Sequence, residues 1–273
     1  MKPQIYDCFC FRDELDILEM RLNILDKYID KFILTEARYT KSGKRKELNF
    51  LKNMKRFSQF KDKIIYQTLD KFPDISQFER SRYQGNYAHK IIDELDENTL
   101  IMSGDVDEIV DPKILEGSLK LATESGKMIV FEQKMCYYFL NVQTGDLHSA
   151  AGEKENWFGT RLCENKFFSQ GEFTIDDLRH KKATQEGIVI KNGGWHFSHQ
   201  GGIEHIIKKI ESSAHQEYNN AFIKGNIKNA MDAFDSGYDL YHRKAKFKVV
   251  SLEDYPEYIL NNKEKYNHMI KEY

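Results

Sequence analysis

Cysteine and proline are scarce in this chain, and long apolar runs and an excess of either charge are absent from it. Only four cysteines and four prolines occur among 273 residues. Cys8, Cys10, Cys136 and Cys163 lie in apolar or mixed segments rather than at framework spacing, so the expectation is reduced, buried thiols and not a disulfide-stapled secreted domain. Cys8 and Cys10 would share one strand face, but two sulfurs without further ligand pairs do not make a zinc site. No stretch approaches the roughly 20 apolar residues of a membrane span, and nothing at the start reads as a charged segment, an apolar run and a small-residue cleavage site. The reading is a soluble, cytoplasmic protein with no membrane span. The 41 basic and 43 acidic side chains leave a net charge of -2, which excludes a global field drawing the chain onto nucleic acid or an anionic surface. Partners must be argued from local sites.

What is present is enough apolar material for one sizeable core, 40% hydrophobic and 13% aromatic. One domain is expected, 1–273. Its first half alternates short apolar runs with helical patterns, the signature of βα units around a mostly parallel central sheet flanked by helices. Residues 5–9 read as a strand, 14–28 as a helix with Leu15, Leu18, Leu22 and Leu25 on one face, and 31–36 as a second strand. A polar loop, 37–47, is followed by a helix over 48–60, a strand over 63–69, a long helix over 77–95 and a strand over 99–104. One or two further strands suit 127–141. Residues 142–187 are polar, aromatic and poorly periodic, which reads as loops and short strands. The apolar run 188–190 leads into 193–198. The helix after it shows Ile203, Ile206, Ile207 and Ile210 on one face and Lys208 and Lys209 on the other. The rest of the C-terminal third reads as helical.

Asp105-Val106-Asp107 is the sharpest chemical feature. In extended chain, residues two apart point the same way, so both carboxylates can face one hard cation, Mn²⁺ or Mg²⁺, that also binds phosphate oxygens. The position at the carboxyl end of an apolar strand favours a ligand crevice. A calcium loop starting at Asp105 fails because Val110 stands where glycine is required. The bland alternative is an acidic helix cap before Pro112.

Other candidates are weaker. Glu36 closes the second strand beside Thr40, Ser42 and Gly43, and its carboxylate could meet ribose hydroxyls or a base edge. Arg82, near the start of the 77–95 helix, could meet phosphates, or simply pair on the surface with Glu79. In Gly193-Gly194-Trp195-His196 the glycines allow close backbone approach, Trp195 offers a flat face to a sugar ring, and His196 could ligate metal or move a proton. His215 and Glu217 lie near the end of the following helix.

The order of these motifs resembles glycosyltransferase family 17, the β-1,4-mannosyl-glycoprotein 4-β-N-acetylglucosaminyltransferase-like enzymes, in a short form without the animal enzymes' membrane anchor. The resemblance rests on Ile5-Tyr6-Asp7-Cys8-Phe9 with Glu14-Leu15-Asp16, Phe32-Ile33-Leu34-Thr35-Glu36-Ala37 with Thr40 and Ser42-Gly43, and Asp105-Val106-Asp107-Glu108-Ile109. Gly194-Trp195-His196-Phe197-Ser198, Lys209-Ile210-Glu211-Ser212 and Ala214-His215-Gln216-Glu217 complete it. Departures are Val110-Asp111-Pro112, where a proline often follows at once, and His199 where tyrosine is frequent.

The resemblance implies a GT-A-type fold, a UDP-N-acetylglucosamine donor, a glycan acceptor and an inverting transfer that makes a β-linkage. On this reading residues 1–125 form the nucleotide-binding half and 126–273 the acceptor-side and C-terminal helical half. Asp107 and Asp105 hold the metal, with Asp105 open to the donor ribose instead. Phe9, Glu36, Arg82 and Trp195 border the donor. His196 is a metal ligand or the general base, and Glu217 is the other candidate base. Two rivals use the same residues differently: a metal-dependent phosphoester hydrolase with His196, His199 and His205 as extra ligands, and a noncatalytic carbohydrate-binding protein built on Trp195 and tyrosines.

Overall fold

The computed structural model describes residues 3–144, 157–169, 173–179, 186–232 and 237–272. Its N-terminal half winds strand and helix alternately. Strand β1, Ile5–Phe11, leads through helix α1, Leu15–Leu25, to β2, Lys31–Ala37. Helix α2, Asn49–Asn53, runs into 3-10 turns over Met54–Phe60, and β3 follows at Ile64–Leu69. Helices α3, Gln77–Asn86, and α4, His89–Ile92, precede β4, Leu100–Ser103. These four strands pair in parallel in the order β3-β2-β1-β4. Strands that are buried on both faces need apolar residues at every position, and β4 is buried at all four of its positions.

Beyond β4 the sheet becomes mixed. Strand β5, Glu108–Val110, leads into helix α5, Pro112–Ser125, and the long β6, Ile129–Tyr137; then come β7, Val142–Thr144, and β8, Trp157–Glu164. Helix α6, Lys166–Ser169, is one turn, and β9, Ile188–Ile190, and β10, Gly194–Ser198, follow. Strand β8 sits between β4 and β6, antiparallel to both. Strand β10 runs parallel to β6 and antiparallel to β5. Helices α7, Gly202–Ser212, and α8, Ala221–Asp232, strand β11, Phe247–Val249, and helix α9, Glu257–Asn261, close the chain. The α/β sheet flanked by helices is as expected, with its parallel pairing concentrated in the first half. No helix among the described residues is long and apolar enough to cross a membrane.

Several expected boundaries moved. The helix expected over 77–95 breaks after α3, and the one expected over 48–60 kinks at Phe57, whose backbone is non-helical. The segment 142–187, expected to hold loops and short strands, contains β7 and the eight-residue β8, a central strand whose burial is set by both neighbours rather than by its own pattern; residues 145–156, 170–172 and 180–185 of that segment lie outside the described residues. The C-terminal third contains β11 as well as helices. All four cysteines are free, three of them buried and Cys10 partly exposed.

Glycines set one close approach. Gly194 has φ of +131°, and a Cβ there would lie 2.2 Å from the Ile109 carbonyl oxygen. Gly193 is similarly tight against Phe131. The pair therefore lets β10 lie against β5 and β6, which is the close approach that the Gly-Gly sequence suggested. Replacing Gly194 by Ala is expected to cost about 2–4 kcal/mol through backbone strain and clash, read as a lowered urea midpoint at unchanged m-value.

Candidate active site

The four residues after β4 do not continue the strand. Asp105 to Glu108 form a turn closed by the Glu108 amide donating to the Asp105 carbonyl at 3.0 Å. The expectation that extended chain would align the two aspartates is corrected, because the turn does it instead. What holds the turn is Arg21 of α1, which is fully buried. Its Nε and Nη2 donate to the two oxygens of Asp7 at 2.8 and 2.7 Å, and its Nη1 donates to the carbonyls of Asp105 at 3.0 Å and Glu108 at 2.7 Å. A buried guanidinium needs both a counterion and acceptors for its remaining protons, and β1 and the turn supply them. Gly104 permits the turn to sit on β8, since a Cβ there would come within 2.7 Å of the Thr160 hydroxyl.

Asp105 and Asp107 both line a cavity of about 500 Å³ at the carboxyl ends of β1 and β4. The helix-cap alternative does not apply: α5 is capped by Asp111, whose side chain accepts from the Lys113 amide. Each aspartate has a cation. Lys209 of α7 donates to Asp107 Oδ2 at 2.9 Å, and His196 Nε2 lies 3.6 Å from the same oxygen. Burial alone would raise the Asp107 carboxyl, but Lys209 and then His196 hold it well below the usual carboxylate range. Burial likewise works against Asp105, which Arg179 and Lys41 keep low. Arg179 donates to Asp105 Oδ2 at 3.0 Å and to Glu108 Oε1 at 2.7 Å. Glu108 itself is fully buried and also accepts from Trp157 Nε1 at 3.0 Å and the Asp105 amide at 2.9 Å. It fastens the turn, Arg179 and the indole together.

Strand alternation decides the fate of Trp195 and His196. His196 and Ser198 face the cavity, and the His196 ring packs on Trp157 with centroids 4.4 Å apart. Trp195 turns the other way into the core, 1% exposed against Tyr255 and Phe197, so it offers no platform to a sugar. The indole that lines this site is the partly buried Trp157. Phe9, expected at the donor, lines the cavity beneath the Arg21 guanidinium. Glu36 does not: it is fully buried and caps α2, taking donors from Lys46 at 2.9 Å, the Asn49 and Phe50 amides at 2.6 and 3.1 Å, and the Tyr66 hydroxyl at 2.9 Å. All its lone pairs are used, so none is left for a ribose. Arg82 is largely exposed, pairs with Asp176 at 3.1 Å and lies outside the cavity lining. Glu217 is half-exposed, bound to His215 at 2.6 Å, and also lies outside it.

Sequence reasoning missed Arg179, Trp157 and the internal roles of Arg21 and Glu108, and it placed Lys209 only on a polar helix face. Arg179 and Trp157 come from the poorly periodic segment, where no local pattern marks them. Lys209 was within a quoted motif, which was the available signal.

Among the described residues no group of three or more His, Cys, Asp or Glu side chains could hold a metal unaided. Asp105, Asp107 and His196 fit a different kind of site, in which one or two carboxylates bind a hard cation and substrate phosphates complete its shell.

Two outcomes follow. Arg21→Met leaves Asp7 buried without its counterion and is expected to destabilise the fold by about 3–5 kcal/mol in denaturant titration. His199, buried next to Lys209, has its imidazole held well below the ordinary 6.5, by burial first and Lys209 second. The unfolded chain therefore binds a proton that the native one refuses, and stability falls as pH drops below about 6.5. The part of that slope due to this residue should vanish in His199→Phe, measured by melting at stepped pH.

A scan against protein families matches the glycosyltransferase family 17 model over residues 1–271. No functionally curated protein matches the sequence. Solved structures that resemble it include 4-diphosphocytidyl-2C-methyl-D-erythritol synthase from Anaerococcus prevotii, at 13% identity and TM-score 0.40 over 80% of this chain and 100% of that one. A putative glucose-1-phosphate thymidylyltransferase from Bacillus anthracis gives 12% and 0.41 over 73% and 87%. A mannosyltransferase from Pyrobaculum calidifontis, solved with GDP-Man and Mn²⁺, gives 10% and 0.43 over 73% and 56%. Those likenesses are too distant to assign a substrate. The match across nearly the whole sequence does assign the family: this chain belongs to glycosyltransferase family 17 and is a glycosyltransferase.

Proposed function

We propose that the chain transfers a sugar, N-acetylglucosamine from UDP-N-acetylglucosamine in the first instance, to a glycan hydroxyl with inversion and with a divalent cation at Asp105 and Asp107. One observation carries this reading: two carboxylates, paired with Arg179 and Lys209, face a single cavity large enough for a nucleotide sugar. A bound Mn²⁺ or Mg²⁺ would neutralise charge on the departing diphosphate. Asp107 and Asp105 would hold it, with His196 beside Asp107. Lys209 and Arg179 add fixed positive charge where negative charge develops.

In the transfer the acceptor oxygen forms a bond to the anomeric carbon while the bond from that carbon to the phosphate oxygen breaks. The hydroxyl proton needs a base within hydrogen-bond reach. His196 turns Nε2 to Asp107 and buries Nδ1, which suits the cation side. Glu217 is outside the cavity. We therefore assign the base to Glu14, whose carboxylate lines the cavity near Lys209 and Asp107. Burial opposes its ionisation, but Arg12 and Lys209 keep it charged.

The rival readings lose their residues. His199 and His205 do not line this cavity, so the extra ligands of a phosphoester hydrolase are not gathered at it. The buried Trp195 removes the platform of a simple lectin.

Calorimetry with UDP and Mn²⁺ tests the donor site. Wild type should bind UDP more tightly with Mn²⁺ than with chelator, and Asp107→Asn should lose that difference; metal-independent UDP binding would remove the cation from the scheme. Glu14→Gln should lower kcat by about 10²–10⁴-fold while UDP affinity stays unchanged. Loss of UDP binding in that variant would instead make Glu14 a donor contact.

A further inference from the structure

A second cavity, about 210 Å³, lies against the first and shares with it Arg12, Glu14, Asp107 and Lys209. Its volume equals about seven water molecules at roughly 30 Å³ each, the scale of a single sugar ring. Its lining combines the apolar Leu15, Ile17, Phe197 and Met269 with a larger set of polar and charged residues. Cations at its edge are already matched: Arg12 pairs with Asp13 and Glu14, Arg56 with Asp16 and Glu19, and Lys209 with Asp107. Among the described lining residues each of these cations already has a carboxylate partner, which favours a neutral polyol with an apolar face and a hydroxyl edge over a phosphate that no metal ion accompanies.

Two of the lining residues carry polar atoms that are unpaired and shut off from solvent. His199 Nδ1 and Gln200 Oε1 are buried without a hydrogen-bond partner. His205 lines the cavity, and its side chain makes no hydrogen bond among the described residues. The backbone that presents them is held in an uncommon shape, with positive φ at His199 (57°), Gly201 (89°) and Gly202 (81°).

We infer that this second cavity, which shares Arg12, Glu14, Asp107 and Lys209 with the larger one, is the subsite for a neutral pyranose ring of the acceptor. The inference rests on the transferase reading above and adds where the second substrate sits. Glu14, in the common wall, then stands where an acceptor hydroxyl from one cavity meets the donor in the other.

The test uses the full chain saturated with UDP and Mn²⁺, and saturation-transfer NMR with methyl α-D-mannopyranoside, methyl β-D-glucopyranoside, methyl β-D-galactopyranoside and methyl N-acetyl-β-D-glucosaminide as probes. At least one glycoside should show contact that persists with UDP bound. That contact should weaken about tenfold or more in His205→Ala and in the cavity-filling His205→Trp, equivalent to about 1.4 kcal/mol or more, with UDP affinity and melting temperature unchanged. Glycoside contact that UDP abolishes, that neither variant alters, or that is missing for every probe overturns the acceptor subsite. Failure of UDP itself to bind overturns the donor reading instead, so the two failures are told apart. Should His205→Trp melt early, His205→Ala alone decides.

Discussion

The buried pair of Arg21 and Asp7 is the constraint on which the site depends. One guanidinium reaches from α1 to β1 and, with its remaining protons, to two carbonyls of the acidic turn. Such a pair is not chosen for stability alone, since desolvation takes back much of the attraction. Its value is geometric: the acceptors accept only one placement of the turn, so Asp105 and Asp107 are aimed by a residue that never sees the cavity. Glu108 repeats the device from the other side by holding Arg179, Trp157 and the Asp105 amide.

A second principle is charge compensation before any ligand arrives. Two low-lying carboxylates would repel each other in a partly dry cavity, and each instead has a cation within hydrogen-bonding distance. In the proposed reaction, an incoming diphosphate and a divalent cation would exchange these partners rather than create new isolated charges, and the same fixed positive groups would serve both the free protein and the developing charge.

The fold's first half was legible because local pattern and burial coincide there. Parallel strands buried on both faces read as apolar runs, and α1 shows its leucines at helical spacing. The second half was not, because β8 gains its burial from β4 and β6, which lie far away in sequence. The candidate site divides in the same manner. The acidic motif and Phe9 were visible, as was His196, which needed only strand alternation to point correctly. Trp195 sits on the same short strand, yet one step of that alternation sends it to the core. Glu36 was rightly seen as a strand-end acid, but its four donors arrive from α2, Lys46 and β3, and none is apparent from its neighbours.

The sequence by itself determined the alternation of strand and helix, the absence of a strong net field, and two carboxylates at the end of an apolar run, because these depend on spacing along the chain. Only the tertiary structure decided which cations meet those carboxylates, which aromatic ring lines the cavity and that a second cavity adjoins the first. Those facts depend on residues such as Arg21, Arg179 and Lys209, brought together across 70 or more positions, where side-chain reach and burial rather than sequence order set the contact.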